Sequence, residues 1–381
     1  MDNLKIAFIT NFCTHYTAGF FAELAERVDT DFYFYSDGNE AYWEHRSGIV
    51  QSGSFRFRYL SGFTLGQTRI APTLAWHLLS RPYDVYIKCI NGKFALPLTY
   101  AIARLRGKPF ILRTGVWADL STGLHRLLAP LVLHLYRHSD AIVAYGEHVK
   151  TFLIGKGVPA ERIFVAPHAV DNRAYNQPVP ESAQQALRTQ LSLAPGQKAL
   201  LYLGRLVPSK GCMDLLEAFA ALDAPEAVLV IVGDGPERPR MEEFLHRRGL
   251  DGRVRFTGHI PPSQIAPYYA ISYAMLLPSI TTAAGREPWG LTVNEAFNAG
   301  LPVIATDAVG AAAGGLVQNG VNGFVVPEQN PAELARAMQR LLREPELREA
   351  MSAAARTEIA KWTHARMAEN VVAALRYVNS R

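Results

Sequence analysis

A chain of 381 residues, 49% hydrophobic and 19% charged, has globular composition and more length than one core takes up, so two domains are expected. The formal charge of +5 is mildly basic, but no nucleic-acid motif accompanies it and nucleic acid is not expected as a partner. No apolar run reaches the ~20 residues of a membrane span, no signal-peptide layout opens the chain, and three unpatterned cysteines (Cys13, Cys89, Cys212) read as reduced thiols, so the expected compartment is the cytoplasm.

Apolar strand-like runs alternate with helical patterns from the start, the signature of a parallel sheet with crossover helices. Strands are read at residues 5–10, 31–35, 85–90, 110–113, 141–144 and 163–166, with helices near 20–27 and 96–105. In such sheets ligands sit beyond the carboxyl ends of the strands, which nominates His15, Tyr16, Asn91, Lys93, Thr114, Trp117 and His168 as one rim for an acceptor, although each taken singly suits a turn or a packing role. Leu124–His138 reads as a core-packed helix, with a membrane-skimming surface as its alternative. Arg56, Arg58, Arg104, Arg106, Lys108 and Arg113 gather in this half. They are solvated surface or an attraction to an anionic acceptor or the inner membrane face.

Residues 172–194, rich in Asn, Gln, Pro and Glu, read as an interdomain linker. The alternation then restarts, with strands at 199–203, 228–232, 254–257, 274–278, 302–305 and 324–326 and helices at 213–221, 265–269, 333–342 and 356–378. The domains expected are therefore 1–172 and 195–361.

The second domain carries the chemistry. From Pro278 the chain reads as a strand end, a small-residue loop and a helix opening at Pro288, where a proline's missing N–H costs nothing. The amides of Gly290, Leu291 and Thr292 would open onto an anion, with Glu287 at the mouth and Glu295 inside the helix. An anionic middle flanked by hydroxyl-binding carboxylates suits a nucleotide sugar. Arg205 and Lys210, on the loop after the first strand of this domain, would stabilise the charge that develops on a departing phosphate. Beside them, Gly204 and the turn Gly233-Asp234-Gly235-Pro236 follow strands, and His259 with Ile260 stands where a base would lie. Plainer readings exist for each: solvent cations, a tight turn, a residue favouring the helix dipole. Residues with metal-ligand spacing are absent, and no metal or other cofactor is expected.

Glu287-Pro288-Trp289-Gly290-Leu291…Glu295 resembles the Glu-x7-Glu motif of glycosyltransferase family 4. The resemblance extends through Gly204-Arg205…Lys210-Gly211, Gly233-Asp234-Gly235-Pro236, Gly300-Leu301-Pro302-Val303-Ile304 and Asn322-Gly323-Phe324, and upstream to Ser139-Asp140-Ala141 and Pro167-His168-Ala169-Val170-Asp171. It implies the α/β GT-B fold: two facing Rossmann-like domains with a cleft between them, and a final helix, near residues 362–381, crossing back to the first domain. It also implies metal-independent transfer with retention at the anomeric carbon. Arg205 and Lys210 would hold the diphosphate, Glu287 with the Gly290 and Leu291 amides the sugar, and Glu295 the ribose. Two departures stand out. The loop Asn11–Gly19 has one glycine where the family often has a pair, and Thr114-Gly115-Val116-Trp117 stands where many members have a histidine.

The expected activity is transfer of a hexose from a nucleoside diphosphate sugar, UDP-linked before GDP-linked. The acceptor would be a saccharide or a lipid-linked oligosaccharide of a cell-surface polysaccharide. Alternatives are glycosylation of a natural product, a GT-B epimerase, or a nucleotide-sugar binder without transfer.

Overall fold

The computed structural model describes residues 4–36, 49–50, 53–66 and 68–381. They form two compact units. The first comprises Met1–Trp117, Thr122–Val170 and Trp362–Arg381, the second Ala118–Ser121 and Asp171–Lys361.

The first unit is built on β1 (Lys5–Thr10), β2 (Asp29–Phe34), β3 (Phe57–Tyr59), β6 (Val85–Cys89), β7 (Phe110–Thr114), β8 (Ala141–Ala144) and β9 (Ile163–Val165). A short hairpin, β4 (Phe63–Leu65) and β5 (Thr68–Ile70), stands apart. The seven strands are ordered β3-β2-β1-β6-β7-β8-β9 and every neighbouring pair is parallel. Helices cover both faces, so the central strands are buried on both sides and read as continuous apolar runs. In β1, Ile6 and Phe8 enter one core, and Ala7 and Ile9 the opposite one.

The second unit carries β10 (Lys198–Leu203), β11 (Ala227–Val232), β12 (Val254–Gly258), β13 (Ser272–Leu277), β14 (Val303–Thr306) and β15 (Gly323–Val326), again all parallel, in the order β12-β11-β10-β13-β14-β15. In each sheet the order reverses once, between β1 and β6 and between β10 and β13. Loops leaving neighbouring strands there diverge to opposite faces and open a crevice at the carboxyl edge.

Three local readings change. Residues 172–194 are part of the second unit: the helix Glu181–Gln190 packs on Ala266–Ile271, and Leu187, Leu191 and Leu193 are buried despite their polar neighbours. The last helical stretch is two helices, Pro345–Ile359 and His364–Asn379. The second places Met367, Val371, Leu375 and Val378 in the core of the first unit beside Phe20 and Leu24. Gly123–His138 meets the core chiefly near its end: among its described side chains Leu135 and Tyr136 are buried, while Leu127 and Leu131 are exposed, so it is core-packed over part of its length rather than throughout.

Candidate functional site

In the second unit the reversal of strand order brings the loop after β10 against the loop after β13. The Lys210 ammonium makes a close ion pair with the Glu287 carboxylate, and Ser279 Oγ donates to the same oxygen at 3.4 Å. The two side chains are 17% and 16% exposed, so this pair is better shielded from water than an ordinary surface bridge. Its backbone is stitched on two sides. Ile280 N donates to Ser209 O at 2.9 Å, while Gly310 N and Ala311 N donate to Glu287 O and Trp289 O at 3.0 and 2.7 Å. Two glycines permit the approach. Gly211 has φ 64°, and a Cβ on it would lie 1.9 Å from Pro278 O; one on Gly310 would lie 2.1 Å from Pro288 O.

The helix expected to open at Pro288 begins instead at Thr292 and ends at Asn298. Gly290, at φ 91°, turns the chain just before it, and Glu295 falls in its first turn. Trp289 is turned inward: it is 2% exposed and its indole donates to Asn294 Oδ1 at 2.8 Å, so the ring is a core anchor. Gly204 is partly exposed and Arg205 exposed, with the Arg205 carbonyl accepting from the buried Tyr202 hydroxyl at 2.8 Å. Asp234 is exposed and caps its own turn, Oδ1 accepting from Gly235 N. His259 is exposed and Ile260 half-buried after β12; Pro288 is exposed and Leu291 half-buried. All of these residues except Glu295 stand on loops at one carboxyl edge.

Two features were not legible in the sequence. Glu295 is buried, accepts from Tyr269 OH at 2.6 Å and is hydrogen-bonded also by Tyr175; burial pushes its pKa up to about 7. Glu328, after β15, receives both the amide and the hydroxyl of Thr281 and pairs with Arg286 at 3.6 Å, while Arg286 Nε donates to Thr281 Oγ1 at 2.9 Å. That ring closes the loop immediately before Glu287. Glu328→Gln keeps the shape but removes the charge, and charged hydrogen bonds contribute about 1.5–3 kcal/mol. It should lower kcat about tenfold with little change in melting temperature; a matching loss of both would make Glu328 a stability residue only.

On the first unit, helix His15–Arg27 follows β1, Asn91 and Lys93 follow β6, and Thr114 and Trp117 end and follow β7. The reversal lies between β1 and β6, so the edge carries these residues on adjacent strands. His15 lies edge-on to Tyr16, with ring centroids 5.0 Å apart, and Trp117 edge-on to His148 at 4.9 Å. Asn91 is a structural fixture, its two oxygens accepting from the buried Lys88 ammonium at 2.7 and 3.3 Å and its side chain also from Tyr35 OH. Thr114 is fully buried, Oγ1 accepting from Val116 N at 3.1 Å, which fits it to the turn rather than to a ligand. His168 is buried against Tyr145. That leaves His15, Tyr16, Lys93 and Trp117 as partly exposed rim side chains. Among the described residues no three His, Cys, Asp or Glu side chains converge as a metal-ligand set.

Against known proteins, residues 183–358 match the family model "Glycosyl transferases group 1". The chain is 31% identical over 285 residues to a 2-deoxystreptamine glucosyltransferase of Streptomyces kanamyceticus, covering 69% of each. It is 28% identical over 279 residues to an alpha-D-kanosaminyltransferase of the same organism, covering 70% of each. The solved structure of Anabaena HepE in complex with UDP superposes with a TM-score of 0.77 at 22% identity, over 98% of this chain and all of that one.

Proposed function

The chain belongs to the group 1 glycosyl transferases and has their GT-B fold, and from that premise we propose that it moves a hexose from a UDP-sugar to a saccharide or lipid-linked acceptor, with retention and without a metal. The observation that carries this reading is the Lys210–Glu287 pair at the strand-order reversal of the second unit, with Arg205 on the same loop as Lys210. A diphosphate placed there meets two cations where charge grows as the sugar departs, so they stabilise the transition state more than the ground state. Arginine supplies a bidentate fork and lysine a mobile point charge. Glu287, held by backbone on both sides, would take hydroxyls of the transferred sugar, and Glu295 the ribose. With retention, the leaving phosphate oxygen would take the acceptor hydroxyl's proton on the face it vacates.

The complex of HepE with UDP supports the choice of UDP. The two Streptomyces relatives named above favour a second reading, a small aminocyclitol or natural-product acceptor. A panel of UDP- and GDP-sugars, read by nucleotide release with acceptor pools and with water alone, tests both. UDP release that depends on acceptor is expected. Sugar interconversion without acceptor would mean an epimerase, and binding without release an inactive binder.

We further propose that the first unit meets an anionic bilayer in the cytoplasm, on one layer of three helices. Thr73–Ser80, Ala95–Leu105 and Gly123–His138 pack on the same core, Arg106 tying the first two and Tyr100 with His134 the last two. None of the three contains Asp or Glu. They expose Trp76, Leu79, Leu105, Leu127 and Leu131, with Arg104 and Arg126 among them. No helix among the described residues is long and apolar enough to cross a membrane, so association would be interfacial. The protein should sediment with phosphatidylglycerol vesicles and not phosphatidylcholine vesicles, and Leu127→Glu/Leu131→Glu should release it; equal sedimentation with both lipids would count against the proposal.

A further inference from the structure

Among the described residues of the first unit one lysine and one arginine, Lys88 and Arg113, are buried, and only Lys88 is fully satisfied. Lys88 Nζ donates to three oxygens, of Cys89 and Asn91, while burial lowers its pKa to about 7. Arg113, on β7 and 4% exposed, uses only Nη1, which reaches Tyr145 OH at 3.4 Å and Cys89 Sγ at 3.8 Å. Its Nε and Nη2 are buried without an acceptor among the described residues. The guanidinium lies over the rings of Phe20 and Tyr145, its carbon 5.2 and 4.6 Å from their centroids, so aromatic faces occupy its flat sides and leave its edge. Among the described residues no carboxylate pairs with it: burial pushes the Tyr145 hydroxyl up, keeping it neutral, and His168 beyond it is cationic rather than anionic when charged. A buried charge without a partner is strongly destabilising.

The unused pair is chemically specific. Nε–H and Nη2–H point the same way along one edge of the guanidinium, the two-pronged geometry that matches two oxygens of a carboxylate or phosphate. Arg113 immediately precedes Thr114 at the carboxyl edge of β7. It is enclosed by Phe20 from the helix after β1 and by Tyr145 directly after β8, so it underlies the rim assigned above to the acceptor. We propose that this edge of Arg113 binds an oxyanion, and that during transfer the oxyanion is an acidic group, phosphate or carboxylate, carried by the acceptor. The second clause rests on the transferase reading; the first stands without it.

The test has two arms. Inorganic phosphate is titrated calorimetrically against chloride at constant ionic strength, in the Arg205→Ala/Lys210→Ala background so that those cations do not contribute. Phosphate should bind, and Arg113→Lys, which keeps charge but loses the fork, should weaken it about tenfold. Arg113→Met should remove it, and if that variant does not fold, the lysine variant carries the comparison. Absence of phosphate binding, or binding unchanged in Arg113→Lys, overturns the site. In the second arm, the otherwise native enzyme and its Arg113→Lys variant are compared on an acid-bearing acceptor and the same acceptor esterified or dephosphorylated. The expected result is a KM raised about tenfold for the acidic form alone. Equal changes for both forms overturn the acceptor clause. No transfer by the native enzyme defeats the transferase reading while the phosphate titration still decides the site.

Discussion

Replacing Lys210 with alanine is expected to lower kcat by about a hundred- to a thousandfold, the loss that follows removal of one preorganised donor to a developing oxyanion. Adding Glu287→Ala should then cost little more. The reason is the ion pair: Lys210 and Glu287 hold each other in place from adjacent loops, each largely shielded from water. Removing either leaves the other charged and misplaced, so the two single losses contain the same interaction and cannot add. Under the roles proposed above, Glu287→Ala alone should remove contacts to sugar hydroxyls and also free Lys210 from the carboxylate that holds it in place. Initial rates of nucleotide release by the native protein, both single variants and the double variant, at saturating donor, form the cycle that decides this. Multiplying losses would mean that the two side chains act on separate steps and that their pairing is incidental.

What the sequence made legible here was what local pattern carries. The buried runs of β1 and β11, the alternation with helices and the glutamate spacing identify the fold and the loop that holds Glu287. What stayed hidden depends on partners far along the chain. The proline at 288 reads as a helix start, yet the carbonyls of Glu287 and Trp289 are engaged by Gly310 and Ala311, which keeps this stretch extended until Gly290 turns it. Glu328 looks like one more surface carboxylate, because Thr281 lies 47 residues away from it. Asn172 and Tyr175 sit in a polar stretch that reads as a linker. Asn172 accepts from Asn298 at 2.9 Å and Tyr175 reaches Glu295, so the stretch is bound to the very helix whose carboxylate was assigned to the ribose. Thr114, nominated for the rim by position alone, is consumed by its own turn.

Glu295 is the residue whose assigned role makes the sharpest demand on pH. Burial is the largest influence on its carboxyl and lifts its pKa from 4.5 to about 7, against the hydrogen bonds of Tyr269 and Tyr175, which pull it down. Burial raises both tyrosine hydroxyls, so they remain donors through the neutral range. The folded chain therefore binds this proton more tightly than the unfolded one, and the group's contribution to stability falls as pH rises from 4.5 towards 7, then levels. Ribose binding would run the other way, because only the carboxylate can accept from two ribose hydroxyls while still accepting from the tyrosines. Donor KM should accordingly fall as pH is raised, with a midpoint near 7. Tyr269→Phe removes a stabilising donor, moving the midpoint upward and raising donor KM at neutral pH by about tenfold, the equivalent of one hydrogen bond to a charged group. Glu295→Gln should flatten the profile through the same range. A midpoint that survives Glu295→Gln would assign the titration to another group and return Glu295 to a purely structural carboxylate between two tyrosines.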